Sequence, residues 1–423
     1  MKSLNFLLFS LIIVSSTTLL KFSESKTHWE DIKALKQFKQ NINPDSVKPG
    51  SCVNTWNFTF DPCENLFSDK FTCGFRCDIT VSKLSRVTEL TLDQAGYTGS
   101  LSSINLPYLE ILELSNNYFT GSIPDSLSNL TRLSRLSLSS NSFTGEIPSS
   151  IGSSLSNLQE LYLDNNNLQG TIPSTFNNLK SLTKLELQEN NLTGKFPDLG
   201  SLQNLYYIDL SNNEFSGDPF EFPVTLPVSL VQISMRNNKL TGLSSESFKN
   251  LNYLQVIDFS SNKINGNVPS IFFQLPSLQQ LTLSFNEFSS IEAPSFGTES
   301  LQNELIAVDI SNNQLQGFLP SFLAFLPKLS SLSLENNRFT GLIPVQFALK
   351  TVFPETGIAP FGRLLLGGNY LIGGIPRPLL VLKQDSANVS LVDNCLFRCP
   401  HVFFFCQGGT QKSSDECSNV IIP

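Results

Sequence analysis

A chain of 423 residues with a net charge of −8 and a pI near 5.0 has no basic excess, which excludes nucleic acid or an anionic lipid surface as its main partner. Only 15% of its residues are charged and 40% are hydrophobic, so it has the apolar content to bury a core and is not a disordered polyelectrolyte. Its two histidines, His28 and His401, stand at opposite ends, and neither has the companions a metal centre needs.

In chain order, residues 1–25 come first: an early Lys2, an apolar run from Leu4 to Leu20 broken by Ser-Ser-Thr-Thr, then the small residues Ser23 and Ser25. This is the layout of a secretory signal peptide, and the run is too short and interrupted to favour a membrane span. No second apolar run of spanning length follows. The processed chain is therefore expected to carry no transmembrane segment and to reach the extracellular space or cell wall, where it could associate peripherally with the plasma membrane.

Residues 26–85 come next. In WEDIKALKQFKQNI, Trp29 to Ile42, the spacing puts Ile32, Leu35, Phe38 and Ile42 on one helical face. Eight cysteines fall in two groups, Cys52, Cys63, Cys73 and Cys77 before the middle of the chain and Cys395, Cys399, Cys406 and Cys417 after it. Export to an oxidising compartment reads even-numbered groups as disulfides rather than zinc ligands, with pairing inside each group. In the first group two patterns stay open: Cys52–Cys63 with Cys73–Cys77, or one that joins Cys63 to Cys77. Sequons at Asn57, Asn129, Asn191 and Asn388 agree with passage through the secretory route.

From about Val87 to Pro376 the chain repeats itself. The pattern L-x-x-L-x-L-x-x-N-x-L aligns eleven asparagines: Asn117, Asn141, Asn166, Asn190, Asn213, Asn238, Asn262, Asn286, Asn313, Asn337 and Asn369. A first, degenerate copy has Ala95 at this position, making about twelve repeats spaced 22 to 27 residues apart, with one step of 32 before Asn369. A unit this short cannot bury its own apolar face, so it must stack on its neighbours. The alternating leucines point inward from a short strand and the residues between them point out. Each Asn follows its strand and is expected to bond backbone groups of its own and the adjacent turn, forming a structural ladder.

Most copies continue as TGSIP, TGEIP, QGTIP, QGFLP or TGLIP. This half-repeat resembles plant extracellular leucine-rich repeat proteins: receptor ectodomains, receptor-like proteins and polygalacturonase-inhibiting proteins. The resemblance implies an α/β solenoid, a right-handed leucine-rich repeat superhelix of plant-type 24-residue repeats with a concave parallel β-sheet. It also implies a disulfide-stapled amino-terminal cap over 26–85, a solenoid over 86–376 and a cysteine-rich carboxy-terminal cap over 377–423. Repeats six, seven and nine depart from the I-P pattern, and KTVFPETGIAP, Lys350 to Pro360, interrupts the run. That insertion reads as a tolerated loop, with a ligand-contacting island as the alternative.

No phosphate loop, nucleophile–base pair or catalytic carboxylate pocket is legible, so the protein is expected to be non-catalytic and to need no metal or cofactor. The outward strand positions lie six, four and two residues before each Asn. They hold ten acids, including Glu113, Glu160, Asp164, Glu186, Asp209 and Asp258, against four basic residues, Arg135, Lys184, Arg236 and Arg363. The concave face is thus expected to be electronegative. Tyr162 and Tyr207 add amphipathic contact area beside the acids. These eleven partner-binding candidates, Glu113 to Asp258 with the two tyrosines, Arg135, Lys184 and Arg236, suit a protein or peptide ligand. The resemblance implies a role in cell-surface signalling or defence, with a receptor kinase among the partners. The alternative it implies is inhibition of a microbial wall-degrading hydrolase such as polygalacturonase.

Overall fold

The computed structural model describes residues 26–65, 74–102, 104–221, 224–294 and 303–418. The expected signal segment and Cys73 lie outside the described residues.

The molecule is a solenoid built on one sheet of fourteen three-residue strands, from Gly74–Arg76 to Asn388–Ser390. The first strand runs antiparallel to Glu89–Thr91, and every later pairing is parallel and in register, Leu161 opposite Leu185 and Ile208 opposite Ile233 for example. At about 4.8 Å per step the thirteen parallel strands extend for roughly 60 Å. The central residue of each of the thirteen parallel strands is a buried aliphatic, and its neighbours face outward, which is the alternation that L-x-L dictates.

From the strand Ile111–Glu113 onward, a left-handed residue follows three positions after each strand of that sheet. Asn116, Asn165, Asn212 and Asn312 have φ of 52–56°, a conformation that short polar side chains tolerate best. The turn drives the next residue, the ladder Asn, into the core. Asn166 shows the arrangement: its Nδ2 donates to the carbonyls of Leu138 (3.0 Å), Leu163 (3.2 Å) and Asp164 (3.0 Å). Its Oδ1 accepts from Phe143 N–H at 2.9 Å. Each rung therefore laces two repeats together. The same set of bonds recurs at Asn394, which is fully buried and receives Leu371 N–H at 3.1 Å. Sheet and ladder thus run one repeat past Pro376.

The half-repeat G-x-I-P forms a second, lateral sheet. It is continuous over five parallel strands from Thr98–Ser100 to Asn191–Leu192, and beyond them it survives only as separate strand pairs. Short 3-10 turns and one-turn helices line the convex side, and leucines and phenylalanines fill the space between, Phe119 stacked on Phe143 at 6.4 Å.

Both ends are closed. The helix Trp29–Asn41 buries Ala34, Leu35 and Phe38, with Ile32 only half buried. Asp31, which the apolar spacing passes over, is buried on the same helix. Cys63–Cys77, Cys395–Cys417 and Cys399–Cys406 are disulfides, and Cys52 is also disulfide-bonded. The insertion Lys350 to Pro360 starts on a helix and continues as turn and loop. That helix, Val345–Val352, runs into its first three residues and packs between the convex turns Ser321–Phe325 and Arg377–Val381. Its Lys350 is buried and donates to Leu326 C=O at 2.6 Å.

Candidate ligand-binding face

The outward positions of the fourteen strands make one face, and adjacent strands bring residues 24 or so apart in sequence side by side. In the amino-terminal half, Arg135 lies between Glu113 (3.6 Å) and Glu160 (3.3 Å), while Lys184 pairs with Glu186 at 2.6 Å. Tyr162 is the hinge of the cluster: Arg135 stands 5.1 Å and Lys184 5.2 Å from its ring centroid, and Lys184 also reaches Tyr207 at 4.8 Å. Such cation–π contacts hold the aromatic faces in one orientation. Burial pushes both phenols up, with Glu160 adding to the effect at Tyr162 and Asp209 and Glu186 at Tyr207. Both hydroxyls consequently stay protonated and can donate. Burial lowers the Lys184 ammonium, but the Glu186 hydrogen bond and charge outweigh it and leave the group above the ordinary lysine value.

Each of the ten acids on the expected electronegative face is engaged, some by cations and the rest by neutral donors that leave the carboxylate charge in place. Glu89 pairs with Arg76 at 3.4 Å, and Asp93 accepts from Cys52 N–H (3.1 Å) and Tyr97 O–H (2.6 Å) in the amino-terminal cap. Asp164 is buried and accepts from Ser139 Oγ. Asp209, Asp258 and Asp309 accept the N–H two residues on, from Ser211 (2.9 Å), Ser260 (3.0 Å) and Ser311 (3.0 Å). Those three are strand-terminating devices as well as surface charges. Burial holds the Asp209 carboxyl above its usual range despite the Ser211 bonds. Burial likewise raises Glu335, against the pull of Arg363 and Ser390.

The candidates therefore divide. Glu113, Arg135, Glu160, Tyr162, Lys184, Glu186, Tyr207 and Asp209 form one contiguous, internally paired cluster. Arg236 and Asp258 lie further along, on the edge of a trough of about 430 Å³ that extends to Arg363. The trough has a member that the outward-position rule misses, Phe285. It sits one residue before a ladder Asn, where the other regular repeats place Asn, Ser, Glu or Gly. That mismatch was the available signal. The four sequon asparagines, Asn57, Asn129, Asn191 and Asn388, are all exposed, and Asn388 stands on the last strand of the concave sheet.

The leucine-rich repeat region, as a family profile, matches residues 83–356. This chain belongs to the leucine-rich repeat family. Receptor-like protein 54 of Arabidopsis thaliana is 31% identical over 221 residues, covering 47% of this chain and 26% of the relative. Human lumican is 34% identical over 142 residues, 33% of this chain and 39% of that protein. The leucine-rich repeat chain thus spans about a quarter of the length of the plant relative. Among solved structures, the plant peptide hormone receptor RGFR1 in complex with RGF2 matches with a TM-score of 0.63 at 31% identity, over 73% of this chain and 48% of that one. PEPR1–AtPEP1 matches with a TM-score of 0.56 at 26% identity, over 87% and 59%. Together these matches mark a plant extracellular leucine-rich repeat protein.

Proposed function

We propose that this protein is a secreted, non-catalytic leucine-rich repeat protein that binds an extended peptide, or an extended segment of a protein, through its concave face in plant cell-surface signalling. The observation that carries the reading is the unbroken fourteen-strand sheet, whose outward side chains form one continuous polar face with tyrosines held rigid by cations. Rigid, amphipathic side chains lose little conformational freedom on binding, which is why tyrosines so often anchor interfaces. Likeness to a plant peptide hormone receptor supports the same reading.

The test uses the full chain immobilised and exposed to the peptide fraction of plant wall extract, wild type against Tyr162→Ala and Tyr207→Ala. A true anchor loses about 2 kcal/mol or more on truncation. Retention of the same peptides with the same dissociation rates by all three proteins would sink the concave-face reading. Inhibition of a fungal polygalacturonase by the wild-type protein would place it with the hydrolase inhibitors instead.

A further inference from the structure

Among the described residues, two arginines on the concave face make no contact ion pair with a carboxylate, although Glu335 feels the charge of Arg363. Arg135 stands between two glutamates, whereas the exposed guanidinium groups of Arg236 and Arg363 make no ion pair among the described residues. Both line the same trough. Arg236 follows the strand Gln232–Ser234 and Arg363 opens the strand Arg363–Leu365, five strand steps further on. Five steps are about 24 Å, which an extended peptide spans with about seven residues.

Between them lies Phe285. Its φ is +56° and its side chain is 59% exposed. A bulky residue in the left-handed region is an outlier, because its Cβ crowds the backbone, and a phenyl ring left in water forgoes its burial. Either feature alone is unfavourable. Their coincidence on the rim of the trough points to an apolar contact that is completed only when something binds. The floor between is made of small polar side chains, Ser260, Thr282, Ser284, Ser331 and Ser333, with the carboxylates of Asp258 and Asp309.

We propose that the trough between Arg236 and Arg363 binds an extended peptide with two acidic side chains about seven residues apart and an apolar side chain between them. Each carboxylate meets a guanidinium in a charge-assisted pair. The intervening backbone lies over the hydroxyls, its N–H groups donating to Asp258 and Asp309, and the apolar side chain covers Phe285. A polyuronate also offers carboxylates, but it carries one on every sugar and would press several against those two aspartates. The proposal rests on the peptide-binding reading of the concave face.

The test is a positional-scanning library of acetylated, amidated octapeptides captured on the immobilised full chain. The expected result is enrichment of Asp or Glu at both ends and of Leu or Phe near the middle. The best peptide should bind at least tenfold more weakly to Arg236→Gln, Arg363→Gln and Phe285→Asn, each with a thermal midpoint no lower than wild type. Enrichment of basic residues, or equal binding by the three variants, overturns the proposal. So does capture of an octagalacturonate in place of peptides. If the retained peptides depend on Tyr162 and Lys184 instead, this trough is wrong and the concave-face reading survives. If wild type retains no peptide, both fall.

Discussion

Asp31 and Arg86 form a buried, bidentate ion pair across 55 residues of sequence, Nη2 to Oδ1 at 2.7 Å and Nε to Oδ2 at 3.0 Å. Asp31 also accepts Val87 N–H at 2.9 Å, and Arg86 lies 4.4 Å from the Tyr108 ring centroid. The pair ties the cap helix to the first repeat. Asp31→Ala leaves a buried guanidinium without its counter-charge, a loss of about 3–5 kcal/mol. Because each repeat contacts only its neighbours, the damage should stay local. Hydrogen exchange should show faster opening of the amides of 29–42 with unchanged protection around Ile208. Uniform loss along the chain, or none, contradicts this.

The Asn ladder predicts a comparable local effect in mid-solenoid. Asn238 donates to Leu210, Met235 and Arg236 carbonyls and accepts Phe215 N–H at 3.0 Å. Asn238→Ala strands those backbone groups in the core, which costs about 1–3 kcal/mol even after partial rearrangement. Urea unfolding of wild type and variant measures it, and a difference below experimental error would mean that water replaces the side chain.

Lys350 predicts a pH dependence. Burial without a counter-charge lowers its ammonium from 10.5 to about 8, so the folded state resists protonation more than the unfolded state does. Stability therefore rises as pH climbs from about 8 to 10.5, where the unfolded chain holds the proton and the folded chain has released it. Below 8 the full penalty applies, about 3 kcal/mol for a shift of that size. Lys350→Met removes the penalty and the bond to Leu326, worth about 1 kcal/mol. At pH 7 the variant should be more stable by about 2 kcal/mol, and its advantage should disappear above pH 10. An advantage independent of pH would assign the effect to packing.

Phe285→Asn should stabilise the unliganded protein by about 1 kcal/mol, since Asn accepts the left-handed conformation and exposes no ring. Thermal unfolding checks it. A lower midpoint would show that the phenyl ring supports the fold.

The solenoid was legible because its signal is periodic: eleven asparagines and the L-x-L pairs each repeat one physical requirement. The twelfth asparagine of the ladder, Asn394, escaped because its repeat, VSLVDNCLF, lies among the cysteines and reads as cap. Outward positions were also legible, but their pairing was not. Whether Glu160 is a free charge or a partner of Arg135 depends on side-chain reach across strands, and a one-dimensional count of acids does not contain that. Asp31 escaped for a related reason, because its partner lies in another element. Phe285 did leave a trace, a bulky residue where the turn grammar asks for a small polar one.

The lateral sheet has a mechanical consequence. Two rows of hydrogen bonds on different sides of a curved rod resist bending as the flanges of a beam do, and residues 98–192 have both. Past Leu192 the second flange is cut into short lengths while the concave one runs on. Changes of curvature should therefore concentrate in the later repeats, where the arc can tighten or relax without breaking a continuous row of bonds. The span from Arg236 to Arg363 falls within those later repeats.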